Sequence, residues 1–175
     1  MPSTGRTGGL DNKCYNTYYH PMTDLQTEIK QTRPFGSLAE EAYLSVIRTA
    51  AMLSHSFNDA IRDRGITGTQ YNALRVLRGA GQQGLCRNEV RDRLVARVPD
   101  ATRLLDRLER MGLIERARDG GDRRFVTTRI TLAGLQLLAE LDEPTLALHQ
   151  QQFGGADEAE LRSLVAVLER VRQRL

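Results

Sequence analysis

Apolar residues recur at Ala39, Ala42, Tyr43, Val46, Ile47, Ala50, Leu53, Phe57, Ala60 and Ile61. That is close to the 3.6-residue helical period. Ser37-Leu38-Ala39-Glu40 reads as a capping box opening this helix, and Gly65 ends it. The stripe is long for so small a chain, which predicts packing beyond its own domain. Thr67-Gly68-Thr69-Gln70 is a second capping box, followed by Tyr71, Leu74, Leu77 and Ala80 at helical spacing, with Gly81 placed to stop them. Cys86-Arg87-Asn88-Glu89 starts a third, short helix with Val90 and Leu94 inward, and residues 95–98 form the turn after it. Pro99 is expected at the first position of the next helix, with Ala101, Leu104, Leu105 and Leu108 inward and Gly112 as its stop.

The period then changes. Strands are expected at residues 113–117 and 124–130, joined by a hairpin tip at Asp119-Gly120-Gly121-Asp122. Thr131 caps a fifth helix carrying Leu132, Leu135, Leu138 and Leu141, which Pro144 is expected to kink or split. Asp157 to Glu160 is another capping box. Beyond it Leu161, Leu164, Leu168, Val171 and Leu175 alternate spacings of three and four, a coiled-coil-like seam. Two short helices, a tight turn, an arginine-bearing helix and a hairpin predict a mostly α, α+β winged helix-turn-helix flanked by N- and C-terminal dimerisation helices. The expected organisation is a flexible tail at 1–36, a dimerisation helix at 37–65, the winged helix-turn-helix at 66–131 and C-terminal dimerisation helices at 132–175. The tail is polar, rich in Gly, Thr and Ser and without period, and Met22 offers a second translation start within it.

The net charge of +3 changes this picture little, but the choice of cation does: of 25 Lys and Arg residues, all but Lys13 and Lys30 are arginine. Arginine suits phosphate and guanine edges, because its planar fork donates two parallel hydrogen bonds. A GC-rich genome would also favour arginine codons, so the distribution has to decide. On the helix from Pro99 to Met111 the inward set leaves Asp100, Thr102, Arg103, Asp106, Arg107 and Arg110 outward. A recognition helix meets the major groove by its N-terminal half, making Thr102, Arg103 and Arg107 the candidate base or phosphate readers. Pro99 and the free N–H groups at the helix start are placed to face a phosphate. Asp100 fits less well: it either caps its own helix or accepts from a cytosine amino group. The competing view is an ordinary solvated face with i,i+4 pairs such as Asp106–Arg110. The hairpin weighs against that view. Arg116, Arg118, Arg123 and Arg124 cluster around a Gly-Gly turn, and arginine at a wing tip suits the narrow, negative minor groove. Asp122 is placed to pin and aim Arg124.

Residues 66–131 resemble the winged helix-turn-helix of MarR-type transcriptional regulators. The resemblance rests on Ile66-Thr67-Gly68-Thr69-Gln70-Tyr71, Thr102-Arg103-Leu104-Leu105-Asp106-Arg107-Leu108-Glu109 and Met111-Gly112-Leu113-Ile114-Glu115-Arg116. It continues through Asp122-Arg123-Arg124 and Ile130-Thr131-Leu132-Ala133-Gly134, in order and with family-like spacing. It implies a homodimer binding double-stranded DNA at pseudo-palindromic operators, with a repressor the leading expectation and Arg124 in the position of the wing arginine that reaches the minor groove. It also implies a small anionic aromatic ligand held between the dimerisation helices and the reader. Met52, His55, Tyr71 and Arg75 are the candidate lining residues, with core packing the competing role for Tyr71.

Cys86 raises a redox alternative, since a thiol at a helix N-terminus beside Arg87 is activated. The sensing cysteine of the family's peroxide sensors belongs near the start of the first long helix, and residues 38–53 hold none. Two cysteines make no disulfide framework, which points to a reducing, cytoplasmic setting. No run is long and apolar enough for a membrane span. His20, His55 and His149 are scattered, so no metal is expected. No nucleophile triad, P-loop or dinucleotide glycine pattern appears, so no cofactor and no enzymatic activity are expected. A winged helix used only for protein contact is the remaining alternative.

Overall fold

The structure is a computed structural model and describes residues 25–118 and 126–175. The chain divides into two compact units, one reaching Arg48 and one from Thr49 to Leu175. In the first, the one-turn helix α1 (Leu25–Glu28) precedes the start of α2 (Leu38–Ala60). The sequence pattern treats residues 25–36 as part of a periodless tail. In the structure they include α1, which closes where Lys30 adopts φ 55°, and Arg48 donates to Glu28 at 2.8 Å. One turn is too short to register as a period.

The second unit holds the rest of α2, a single 3-10 turn at Arg62–Arg64, and the helices α3 (Gly68–Ala80), α4 (Arg87–Arg93), α5 (Ala101–Arg110), α6 (Leu132–Gln152) and α7 (Glu158–Arg172). Three strands, β1 (Leu85–Cys86), β2 (Ile114–Arg118) and β3 (Val126–Ile130), form an antiparallel sheet in the order β1-β3-β2. Register is set by Leu85 opposite Thr128 and Arg116 opposite Thr128 on the two sides of β3.

Caps define the helices as their sequences require. Thr67 and Gln70 make the reciprocal box on α3, Asp157 and Glu160 the one on α7, and Thr131 accepts from the Gly134 N–H on α6. Behind α5, the Gly112 N–H bonds the Glu109 carbonyl and the Leu113 N–H the Leu108 carbonyl, with Gly112 at φ 70°. This Schellman closure needs a left-handed residue, which glycine supplies without steric cost. Pro144 does not split α6, which runs unbroken through it. The Thr145 hydroxyl, buried just beyond, donates to the Leu141 carbonyl at 2.7 Å and meets the Tyr71 hydroxyl at 3.2 Å, so packing on α3 holds the turn that proline weakens.

One core joins these elements. Leu74 and Leu77 of α3, Val90 of α4, Leu105 and Leu108 of α5, Ile114 of β2 and Leu138 of α6 are all at most 2% exposed. Arg78 grips Asp142 with two hydrogen bonds of 2.8 and 3.0 Å, tying α3 to α6. The hydrogen bonds from Arg78 hold the Asp142 carboxyl below its ordinary range. In contrast α7 buries no residue: Leu164, Val165, Val167 and Val171 are exposed, as are Leu132 and Leu146 on α6.

Candidate nucleic-acid interface

The candidate interface centres on α5, whose start differs from the sequence expectation. The helix begins at Ala101, with Asp100 as its N-cap, so Pro99 lies before the helix and not at its first position. The reason is local chemistry: the Asp100 carboxylate accepts the Arg103 N–H at 2.9 Å, satisfying a donor that the helix cannot. Asp100 therefore serves its own helix, one of the two roles open to it from sequence.

Ala101, Leu105 and Leu108 face the core, while Thr102, Arg103, Arg107 and Arg110 are exposed. The two acids on α5 do not face the arginines beside them. Arg116, projecting from β2, bonds Asp106 at 2.6 Å and Glu109 at 2.9 Å, with a second shorter contact to Glu109. Its side chain is 25% exposed, and the hydrogen bonds it donates to Glu109 and Asp106 push its pKa above the ordinary arginine value. The Asp106–Arg110 ion pair offered by the competing solvated-face view does not form: Arg110 Nε donates to the Asp106 backbone carbonyl at 3.3 Å. The outcome is electrostatic sorting. Both carboxylates of α5 are neutralised from behind, while the side chains of Arg103 and Arg107 pair with nothing among the described residues. Arg116, predicted from sequence as a DNA contact, is occupied in holding the wing strand to α5.

A crevice of about 400 Å³ opens between α4, α5 and the sheet, lined by Cys86, Arg87, Asn88, Thr102, Leu105, Arg116, Val126 and Thr128. Across it Arg87 donates to the Thr102 hydroxyl at 3.3 Å. Sequence reasoning missed Arg87 and Asn88 as parts of this face, because only the packing of α4 on α5 brings them to Thr102. Cys86 is a half-buried free thiol at the N-cap of α4, and its backbone N–H donates to Glu89 at 2.8 Å. That bond is the main cause holding the Glu89 carboxyl below its ordinary value. Asp122, Arg123 and Arg124 lie outside the described residues.

The four candidate ligand residues do not converge. Tyr71 is buried at 5% exposure, between core and cleft, with the Arg75 guanidinium 5.9 Å from its ring centroid. Met52 is exposed, and His55 is exposed with its ring nitrogen 3.2 Å from Asp59. A cleft of about 430 Å³ does lie between α2, α3 and the end of α6, but of the four only Tyr71 lines it. Among the described residues no group of three or more His, Cys, Asp or Glu side chains could hold a metal ion, and no helix is long and apolar enough to cross a membrane.

The sequence profile of the MarR family matches residues 64–124, from the end of the 3-10 turn into the wing. The crystal structure of a MarR transcription factor from Planctomyces limnophilus is 38% identical over 78% of this chain and 98% of that one, with a TM-score of 0.61. The chain belongs to the MarR family. Members of the MarR family are transcription regulators, not enzymes. A mutant MarR from E. coli complexed with operator DNA shares the MarR fold with this chain at 23% identity, covering 85% of this chain and 99% of that one, with a TM-score of 0.69. The HTH-type transcriptional repressor IacR of Pseudomonas putida is 29% identical over 100 residues. That match spans 57% of this chain and 59% of IacR.

Proposed function

We propose that this MarR-family chain is a sequence-specific, double-stranded DNA-binding transcriptional repressor that works in the cytoplasm as a homodimer on pseudo-palindromic operators and responds to a small ligand. The observation that carries the reading is the charge sorting on α5. Arg116 absorbs Asp106 and Glu109 and the Asp100 carboxylate caps the helix, leaving the exposed side chains of Arg103 and Arg107 unpaired among the described residues. A helix so arranged attracts phosphate and presents arginine forks to guanine edges. The operator complex of the E. coli protein and the name of the P. putida repressor support the same reading.

In this reading Thr102, Arg103 and Arg107 meet the major groove, with Arg87 steadying Thr102. Pro99 and the capped start of α5 lie beside a phosphate. Arg123 and Arg124 enter the minor groove from the wing, aimed by Asp122. Residues 66–131 form the reader, and residues 37–65 and 132–175 supply the dimer contacts. The test is fluorescence anisotropy against operator duplexes selected from a random pool, across a salt series. Arg103→Ala is expected to cost about 1–3 kcal/mol and relax preference at one base position. Arg124→Ala is expected to weaken binding more evenly across sequences and flatten the salt dependence by about one phosphate contact. Unchanged affinity in both variants would remove the assignment, and salt-insensitive or absent DNA binding would favour a winged helix used only for protein contact.

A further inference from the structure

The side chain of Gln70, in the first turn of α3, is 2% exposed. Its carboxamide oxygen accepts the Thr67 N–H at 2.9 Å and the Thr67 hydroxyl at 3.2 Å, completing the capping box of α3. Its amide nitrogen has one hydrogen-bond partner among the described residues, the Met111 sulfur at 3.8 Å. A thioether is a weak acceptor, so this donor is buried without a partner of matching strength.

Met111 is the C-cap of α5, directly before the turn at Gly112, and is 39% exposed. It therefore meets solvent on one side and a buried N–H donor on the other. An oxygen added to its sulfur would lie within ordinary hydrogen-bond reach of Gln70 Nε2 at the existing 3.8 Å separation, because a sulfoxide oxygen accepts at a bent angle. Methionine oxidation ordinarily disrupts packing by making an apolar group polar. Here it would give Gln70 the strong acceptor it lacks.

We propose that Met111 is an oxidation site for hydroperoxides, and that the Gln70 side-chain amide captures its sulfoxide oxygen, so that the modification fastens the end of α5 to the start of α3. In the step, a sulfur lone pair attacks one peroxide oxygen. The S–O bond forms as the O–O bond breaks, and the departing oxygen keeps that bond's electron pair and takes up the proton of the transferred hydroxyl. With hydrogen peroxide the products are the sulfoxide and water; sulfur is oxidised by two electrons and the peroxide reduced by two. Negative charge grows on the transferred oxygen, so the Gln70 N–H binds it more strongly than it binds the thioether, and an interaction that strengthens in the transition state speeds the step. Met52, the other methionine among the described residues, is an internal reference: it is 53% exposed on α2, and its sulfur accepts no hydrogen bond among the described residues. Exposure alone would oxidise Met52 first.

The test treats the full chain with dilute hydrogen peroxide and follows each methionine by peptide mass spectrometry. Met111 is expected to gain oxygen at least threefold faster than Met52. Its sulfoxide is expected to form largely as one epimer, reduced by only one of the two epimer-specific methionine sulfoxide reductases, whereas the Met52 sulfoxide is reduced in part by each. Gln70→Glu keeps an acceptor for the Thr67 N–H, as the capping box requires, and removes the donor to sulfur. It is expected to slow Met111 to the Met52 rate or below. Urea unfolding adds a measurement that needs no change at Gln70. Peroxide is expected to raise the midpoint of Met52→Leu relative to its effect on Met52→Leu combined with Met111→Leu; both chains keep Cys86, so thiol oxidation is common to the two. Met52 oxidising as fast as Met111, a Met111 sulfoxide formed as equal epimers, an unchanged Met111 rate in a folded Gln70→Glu chain, or a midpoint lowered by Met111 oxidation would each overturn the proposal.

Discussion

Arg116 decides the electrostatic character of the interface without facing outward. Its guanidinium spans Asp106 and Glu109, one turn apart on α5, from a strand that follows the helix in sequence. Removing it does two things: it loosens the wing from α5, and it exposes two carboxylates beside the cationic face. Arg116→Ala is therefore expected to lower DNA affinity at least tenfold, by adding repulsion as much as by losing order. Adding Asp106→Asn and Glu109→Gln to Arg116→Ala is expected to recover a substantial part of that loss. Anisotropy at several salt concentrations reads the difference. If Arg116 contacts DNA directly, neutralising the two acids recovers none of its contact, and the double replacement leaves the defect in place. Spacing along the chain hides this role. Asp106 and Glu109 stand ten and seven positions before Arg116, separations that meet only because the Schellman turn at Gly112 reverses the chain. From sequence, Asp106 pairs with Arg110 only on the solvated-face view, and Arg116 reads as a DNA contact of the wing.

At the scale of elements, what was legible in the sequence was what is local. The boxes at Thr67–Gln70 and Asp157–Glu160, the cap at Thr131 and the stop at Gly112 each depend on residues within a few positions, and all form. Strand β1 was not legible, because two residues carry no period and Leu85–Cys86 becomes a strand only by pairing with Thr127 and Thr128. The Pro99 expectation failed because a side-chain cap at Asp100 outweighed a proline preference. One element contact turns on a missing atom. Gly134, in the first turn of α6, sits so close to the end of β3 that a Cβ there would lie 2.3 Å from the Leu113 carbonyl oxygen and 2.7 Å from Ile130 Cγ1. The first of these partners is backbone and cannot turn aside. Gly134→Ala is expected to destabilise the chain by about 1–3 kcal/mol or more through overpacking. Gly155→Ala, where nothing lies within 4 Å, is the control and is expected to hold its urea midpoint. Equal midpoints for the two variants would show that α6 can shift away from the sheet, and that the close approach is not required.

At the scale of the molecule, the question is what covers α7. Its seam residues Leu161, Leu164, Leu168 and Val171 include none that is buried, and Val165 and Val167 add exposed apolar surface at 60% and 47%. A helix with this much uncovered apolar surface is costly in water unless another surface meets it. An apolar groove of about 600 Å³ beside it, lined by Phe153, Leu161, Leu164 and Leu168, is open in the single chain. In the proposed homodimer a second copy is the occupant, and it also serves the reader. Two α5 helices about 34–36 Å apart match successive major grooves, and each copy raises the local concentration of the other at its half-site. Leu164→Glu combined with Leu168→Glu is expected to convert a dimer into a monomer in sedimentation at micromolar concentration, because two buried carboxylates on each side of a two-fold seam cannot be paired. The same variant is expected to lose at least a hundredfold in affinity for a palindromic duplex while changing little on an isolated half-site. That contrast separates loss of pairing from damage to the reader. A wild-type chain that sediments as a monomer, or a variant equally weak on both duplexes, would mean that the seam on α7 meets something other than its twin.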